Sequence, residues 1–134
     1  MAAVGATRFG AILAVADVPA ASAWYRDRLG FEVEATFEDP DYAILTLAGA
    51  RLSLAEQGHP AEDRPGVELE APVDPARLQA NLVIEVADCR AAHADLVAQG
   101  VSFLTEPFAP PWGGARVFAI DPDGYLVELE ELPR

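Results

Sequence analysis

The chain has 134 residues, the size of one domain, and half of them are apolar (51%) with a mean hydropathy of +0.14, which excludes a disordered chain. No run approaches the ~20 apolar residues of a membrane-spanning helix. Nine positive residues, all arginine, stand against 22 acidic ones for a net charge of −13, a surface that repels phosphate backbones and excludes direct nucleic-acid binding.

In chain order, residues 9–15 (FGAILAV) read as a short buried strand. Asp17 stands where a helix N-cap belongs, Pro19 sits in the first turn, and the helix ASAWYRDRL runs to a stop at Gly30. Within it Trp24 shares a face with Arg28, and Tyr25 shares another with Leu29, as packing residues do. Strand-like runs follow at 31–37, 42–48 and 51–56, separated by the turn signals Asp39-Pro40-Asp41 and Gly49. Residues 57–79 are rich in Pro, Gly, Glu and Asp without a sustained period, and read as a linker. A strand at 81–87, a second N-cap at Asp88, a helix over 90–99 and a stop at Gly100 come next. Strands at 101–105, 115–120 and 125–131 complete the chain, the last two joined by the tight turn Asp121-Pro122-Asp123-Gly124. The single cysteine, Cys89, has no internal partner for a disulfide, and a cytoplasmic location is expected.

The order is β-α-β-β-β written twice. Val15-Ala16-Asp17 returns as Val86-Ala87-Asp88, and the glycine-led strand from Gly49 is matched by the one from Gly124. The expected fold is α+β: one domain over 1–134 made of a module at 8–56, the linker 57–79 and a module at 80–132. A ferredoxin-like domain would not place three strands after each helix.

The phrases ADVPAASAWYRDRLGFEVE and PPWGGARVFAIDPDGYLVELEE resemble the vicinal-oxygen-chelate superfamily of glyoxalases, extradiol dioxygenases, fosfomycin-resistance enzymes and bleomycin-binding proteins. The resemblance covers nearly the whole chain, and its closest character is that of the drug-binding members. It implies two βαβββ modules whose curved mixed sheets form a cup, commonly completed in a homodimer. In the family's metal enzymes the ligands lie seven residues before each N-cap aspartate and four after each turn glycine, here Gly10, Asn81, Ser53 and Glu128. Only Glu128 is a strong donor, so no catalytic metal and no other cofactor is expected. His59 in the linker and His93 on the second helix lie away from the family's positions. Glu85 has the strand parity of Asn81, and either lines the same face or reaches solvent at the strand end.

The resemblance also implies ligand contacts. In bleomycin-binding members an aromatic–acidic–aromatic turn and a Trp-Gly loop line the drug groove; here these are Phe37 and Tyr42 around Glu38-Asp39-Pro40-Asp41, and Trp112 with Gly113. Aromatic faces suit flat or cationic guests, and the paired glycines admit close approach of a ligand. The expected function is therefore sequestration of a toxic natural product, an aromatic or cationic antibiotic, by a cytoplasmic homodimer without turnover. Its ligand-binding residues are Phe37, Tyr42, Trp112, Gly113, Asn81 and Glu128. The alternative is a glyoxalase- or dioxygenase-like lyase or isomerase in which Glu128 is metal ligand or general base.

Overall fold

In a computed structural model, residues 4–134 of the chain are described. They form two βαβββ modules, one in a unit running to Ala71 and one in a unit from Pro72 to Arg134.

The first unit contains β1 (Gly10–Val15), α1 (Val18–Leu29), β2 (Glu32–Phe37), β3 (Tyr42–Leu47) and β4 (Ala50–Glu56). Its sheet has the order β1-β4-β3-β2, with β1 parallel to β4 and the other pairs antiparallel. The Asp17 side chain accepts from Ala20 N at 3.0 Å, taking one of the donors a helix start leaves unpaired, and Gly30 ends α1 in the left-handed region at φ 80°. Alternation decides the rest. Leu52 and Leu54 of β4 and Ala43 and Leu45 of β3 are buried and share the face covered by α1. Tyr25, fully buried from the helix side, meets Phe31 edge to face at 5.4 Å, so this aromatic is core. The opposite, open face carries Gly10, Ile12, Tyr42, Ile44, Arg51 and Ser53.

Residues 57–71 are more than a linker. Gln57 N donates to Val15 O, Gly58 N to Leu69 O, and Ala71 N to the Gln57 side chain, which ties the segment to the first unit. Such turn-and-loop pairing has no period to read in a sequence.

The second unit repeats the plan with β5 (Leu82–Glu85), α2 (Cys89–Ala98), β6 (Ser102–Phe103), β7 (Ala115–Ile120) and β8 (Leu126–Glu131), ordered β5-β8-β7-β6. Asp88 caps α2 by accepting from Ala91 N at 3.0 Å, and Glu131 reaches Cys89 N at 2.9 Å, bringing a carboxylate to a helix N-terminus where the dipole favours it. Val117, Ala119, Val127 and Leu129 form the buried face under α2, with Cys89 enclosed. Burial first, and the Glu131 charge second, push the Cys89 thiol up, so this cysteine is an inert core residue.

β6 is two residues long where the sequence suggests five. The pairing survives in pieces, Leu104 N donating to Phe118 O and Phe108 N to Arg116 O. Pro107 lacks a donor and Thr105 turns its hydroxyl to Glu106 O, which breaks the ladder between them. No helix among the described residues is long and apolar enough to cross a membrane.

The β7–β8 turn rests on one carboxylate. Buried Asp121 accepts from Asp123 N and Tyr125 N, both at 2.9 Å. Asp121→Ala strands both donors and is expected to cost about 1–3 kcal/mol, measured as a shift in the urea unfolding midpoint with the slope unchanged.

Candidate functional site

Strand β8 is interior to the second sheet, and cross-strand partners share a face, so Glu128 opens beside Val83 of β5 and Phe118 of β7. Its neighbours along β8 point the other way: Val127 and Leu129 are core. A carboxyl thus stands on the open face yet is only 8% exposed. Burial raises its pKa most and the charge of Glu130 raises it further, while Arg116 pulls it down. A side-chain hydrogen bond with Glu130 adds to the rise, and one with Asn81 opposes it. Desolvation prevails, so Glu128 holds a proton more tightly than an ordinary glutamate.

Arg116 comes from β7, opposite Glu130 in register. Its guanidinium carbon lies 5.8 Å from the Trp112 ring and 6.0 Å from the Phe108 ring. The second unit therefore assembles Asn81, Arg116, Phe118, Glu128 and Glu130 on one face, with Trp112 stacked behind Arg116. Glu85 extends the same parity and is exposed at the strand end. A shielded carboxyl with a raised pKa thus stands near the Arg116 cation and the Asn81 amide.

The aromatic expectations meet a different arrangement. Trp112 is 67% exposed, but the cation at its face is the unit's own Arg116. Gly113 does not make room for a ligand: a Cβ there would lie 2.9 Å from Pro133 Cβ, so the close approach is that of the chain's own C-terminal segment. Phe37 and Tyr42 close the β2–β3 hairpin as register partners in the first unit, ring centroids 6.2 Å apart, and the Tyr42 hydroxyl accepts from Arg51 Nη2 at 3.1 Å. His59 pairs with Glu56 at 3.2 Å, and His93 packs edge-on against Phe103 at 4.6 Å.

The residues at the family's metal-ligand positions do not fit a divalent metal. In the first unit, a Cβ at Gly10 would lie 2.5 Å from Arg51 O, and Ser53 Oγ accepts from Arg51 Nε at 2.9 Å. A guanidinium on the only donor repels a cation. In the second unit the other family position, beside Glu128, holds the neutral amide of Asn81, a weak donor.

Paired βαβββ modules, each a helix laid on one face of a four-stranded mixed sheet, define a vicinal-oxygen-chelate fold. The match to the family model bears this out over residues 7–129: the chain belongs to the glyoxalase/bleomycin resistance protein/dioxygenase superfamily. It is 32% identical over 128 residues to an ethylmalonyl-CoA/methylmalonyl-CoA epimerase from Cereibacter sphaeroides, covering 90% of this chain and 93% of that protein. Among solved structures, a glyoxalase/bleomycin resistance protein/dioxygenase from Nocardioides superposes with a TM-score of 0.77 at 19% identity, over 96% of this chain and 85% of that one. A superfamily member from Sphaerobacter thermophilus gives 0.67 at 24%, over 96% and 99%.

The superfamily includes enzymes, and the likeness to an epimerase overturns the expectation of a drug-sequestering protein without turnover. That expectation rested on the missing metal set, the acidic charge and an aromatic groove; in the groove, Arg116 stands at the Trp112 ring and Pro133 fills the space beside Gly113.

Proposed function

We propose that this chain is an isomerase-type enzyme that removes and returns a proton at a carbon next to a thioester carbonyl, with Glu128 as the base. The observation that carries the reading is a shielded carboxyl with a raised pKa, set beside Arg116 and Asn81 on the open face of the second sheet. The likeness to an ethylmalonyl-CoA/methylmalonyl-CoA epimerase supports it, because inverting a centre between two carbonyl groups requires a C–H bond to break and re-form. In the proposed step the Glu128 carboxylate takes the proton, the C–H electron pair moves onto the carbonyl oxygen as an enolate, and reprotonation restores the acyl group. Arg116 offsets the charge that develops. No metal enters this step.

The test is incubation with methylmalonyl-CoA in deuterium oxide, read by mass spectrometry. Deuterium gain at the substituted carbon well above the uncatalysed rate supports the reading, and a rate equal to buffer alone sinks it. The base works only when ionised, so the rate is expected to rise with pH along a limb displaced above the ordinary glutamate range, the direction of the Glu128 shift. Glu130→Gln removes a charge that raises the Glu128 pKa, and is expected to move that limb to lower pH.

We also propose that the protein works as a homodimer. β1 and β5 are edge strands carrying half-exposed apolar residues, Ile12 and Val83, of the kind a second copy covers. Native mass spectrometry at twice the chain mass supports this, and a monomer at micromolar concentration counts against it.

A further inference from the structure

The first unit has its own charged feature on the open face of its sheet. Arg51, on β4, stands in register with Gly10 of β1 and Thr46 of β3. It donates from Nε to Ser53 Oγ at 2.9 Å and from Nη2 to the Tyr42 hydroxyl at 3.1 Å. Both partners are neutral. In a chain with 22 acidic residues, this partly buried guanidinium has no carboxylate partner among the described residues. Arg8, Arg26 and Arg77, by contrast, pair with Glu34, Asp27 and Asp74. A partly buried charge satisfied only by hydroxyls retains most of its capacity for an anion.

The geometry says which anion. A guanidinium has five N–H donors in one plane, and the two hydroxyls hold the Nε/Nη2 edge. The Nη1/Nη2 end keeps the parallel fork that matches two carboxylate oxygens. This group lies in a groove of about 430 Å³ lined by Arg8, Phe9, Gly10, Ile12, Arg51 and Ser53. Gly10 is part of the arrangement, since a Cβ there would meet Arg51 Cβ at 2.8 Å and displace the stem.

We propose that Arg51 forms an oxyanion-binding site on the open face of the first unit, taking the carboxylate of a small organic acid or acyl ligand. Tyr42 and Ser53 fix the guanidinium side-on, and the ligand receives the end-on fork. The site stands on residues separate from Glu128 and does not depend on the base proposed above.

The test is titration of the full chain, ¹⁵N-labelled, with malonate, inorganic phosphate and malonamide, following the Arg51 Nε–H resonance. Saturable malonate binding that shifts this resonance is expected, with phosphate about tenfold weaker or more and malonamide inert. Arg51→Gln weakens malonate about tenfold or more, whereas Arg90→Gln, which removes an equal charge from exposed α2 surface, leaves it within twofold. Should Arg51→Gln fail to fold, the double substitution Tyr42→Phe with Ser53→Ala keeps the charge but releases its orientation, and several-fold weaker binding is expected. Absence of saturable malonate binding, equal binding of malonamide or phosphate, or equal loss in Arg90→Gln and Arg51→Gln overturns the proposal.

Discussion

Glu128→Gln is expected to lower proton exchange on methylmalonyl-CoA by about 10²–10⁴-fold while making the folded protein more stable at neutral pH. The two effects have one cause. Burial and the neighbouring Glu130 charge raise the Glu128 pKa in the folded state, so its ionised form is disfavoured there relative to the unfolded chain. Between the unfolded value of about 4.3 and the raised folded value, the native state binds more protons than the unfolded one. The stability that Glu128 contributes is therefore fully present below the unfolded value and is lost as pH rises through the folded value. A neutral amide of nearly the same shape escapes that loss. Thermal unfolding of both proteins from pH 3.5 to 8 should show the variant ahead at pH 7 and the gap closing toward acid. An active variant removes Glu128 as base; a variant less stable at pH 7 than the parent removes the account of its strained ionisation.

Much of this arrangement is legible in the sequence because it is local. Asp17 and Asp88 mark helix starts through their own backbone bonds, and parity along β8 places Glu128 with Leu126 and Glu130 before any partner strand is known. What the sequence hides is register. Arg116 and Phe118 join Glu128 only because β7 pairs Arg116 with Glu130 and Phe118 with Glu128, and a slip of one residue would send both into the core. Arg51 is hidden for a related reason. It alternates with Leu52 and Leu54, which marks it as facing away from the helix, but its hydroxyl partner Tyr42 comes from another strand. The aromatic residues misled in the opposite way. Trp112 and Gly113 resemble ligand contacts by their types, whereas the cation and the close approach they accommodate, Arg116 and Pro133, come from this same chain.

Gly114→Ala should be the most damaging single-methyl change, at about 3 kcal/mol or more, and Gly66→Ala provides its control. Both glycines have φ +76°, so alanine meets the same left-handed penalty, roughly 1–2 kcal/mol, at each. Around Gly66 a Cβ finds no heavy atom within 4 Å, and only that penalty applies. At Gly114 the Cβ would lie 2.2 Å from Glu131 O and 3.1 Å from Pro133 N. Those are backbone atoms of the last residue of β8 and of the segment just after it, and the nearer one moves only if the strand moves. Gly114 directly precedes β7, whose Arg116 and Phe118 share the open face with Glu128, so relief of the clash is transmitted to the site. Urea unfolding should separate the two variants by at least about 1–2 kcal/mol, within the usual cost of overpacking. In conditions where Gly114→Ala remains folded, its proton-exchange rate should fall as well, because Arg116 no longer sits where it offsets the enolate charge. Equal costs for the two substitutions would mean that the Trp112–Gly114 loop is not seated against β8, and the positioning of Arg116 would then need another source.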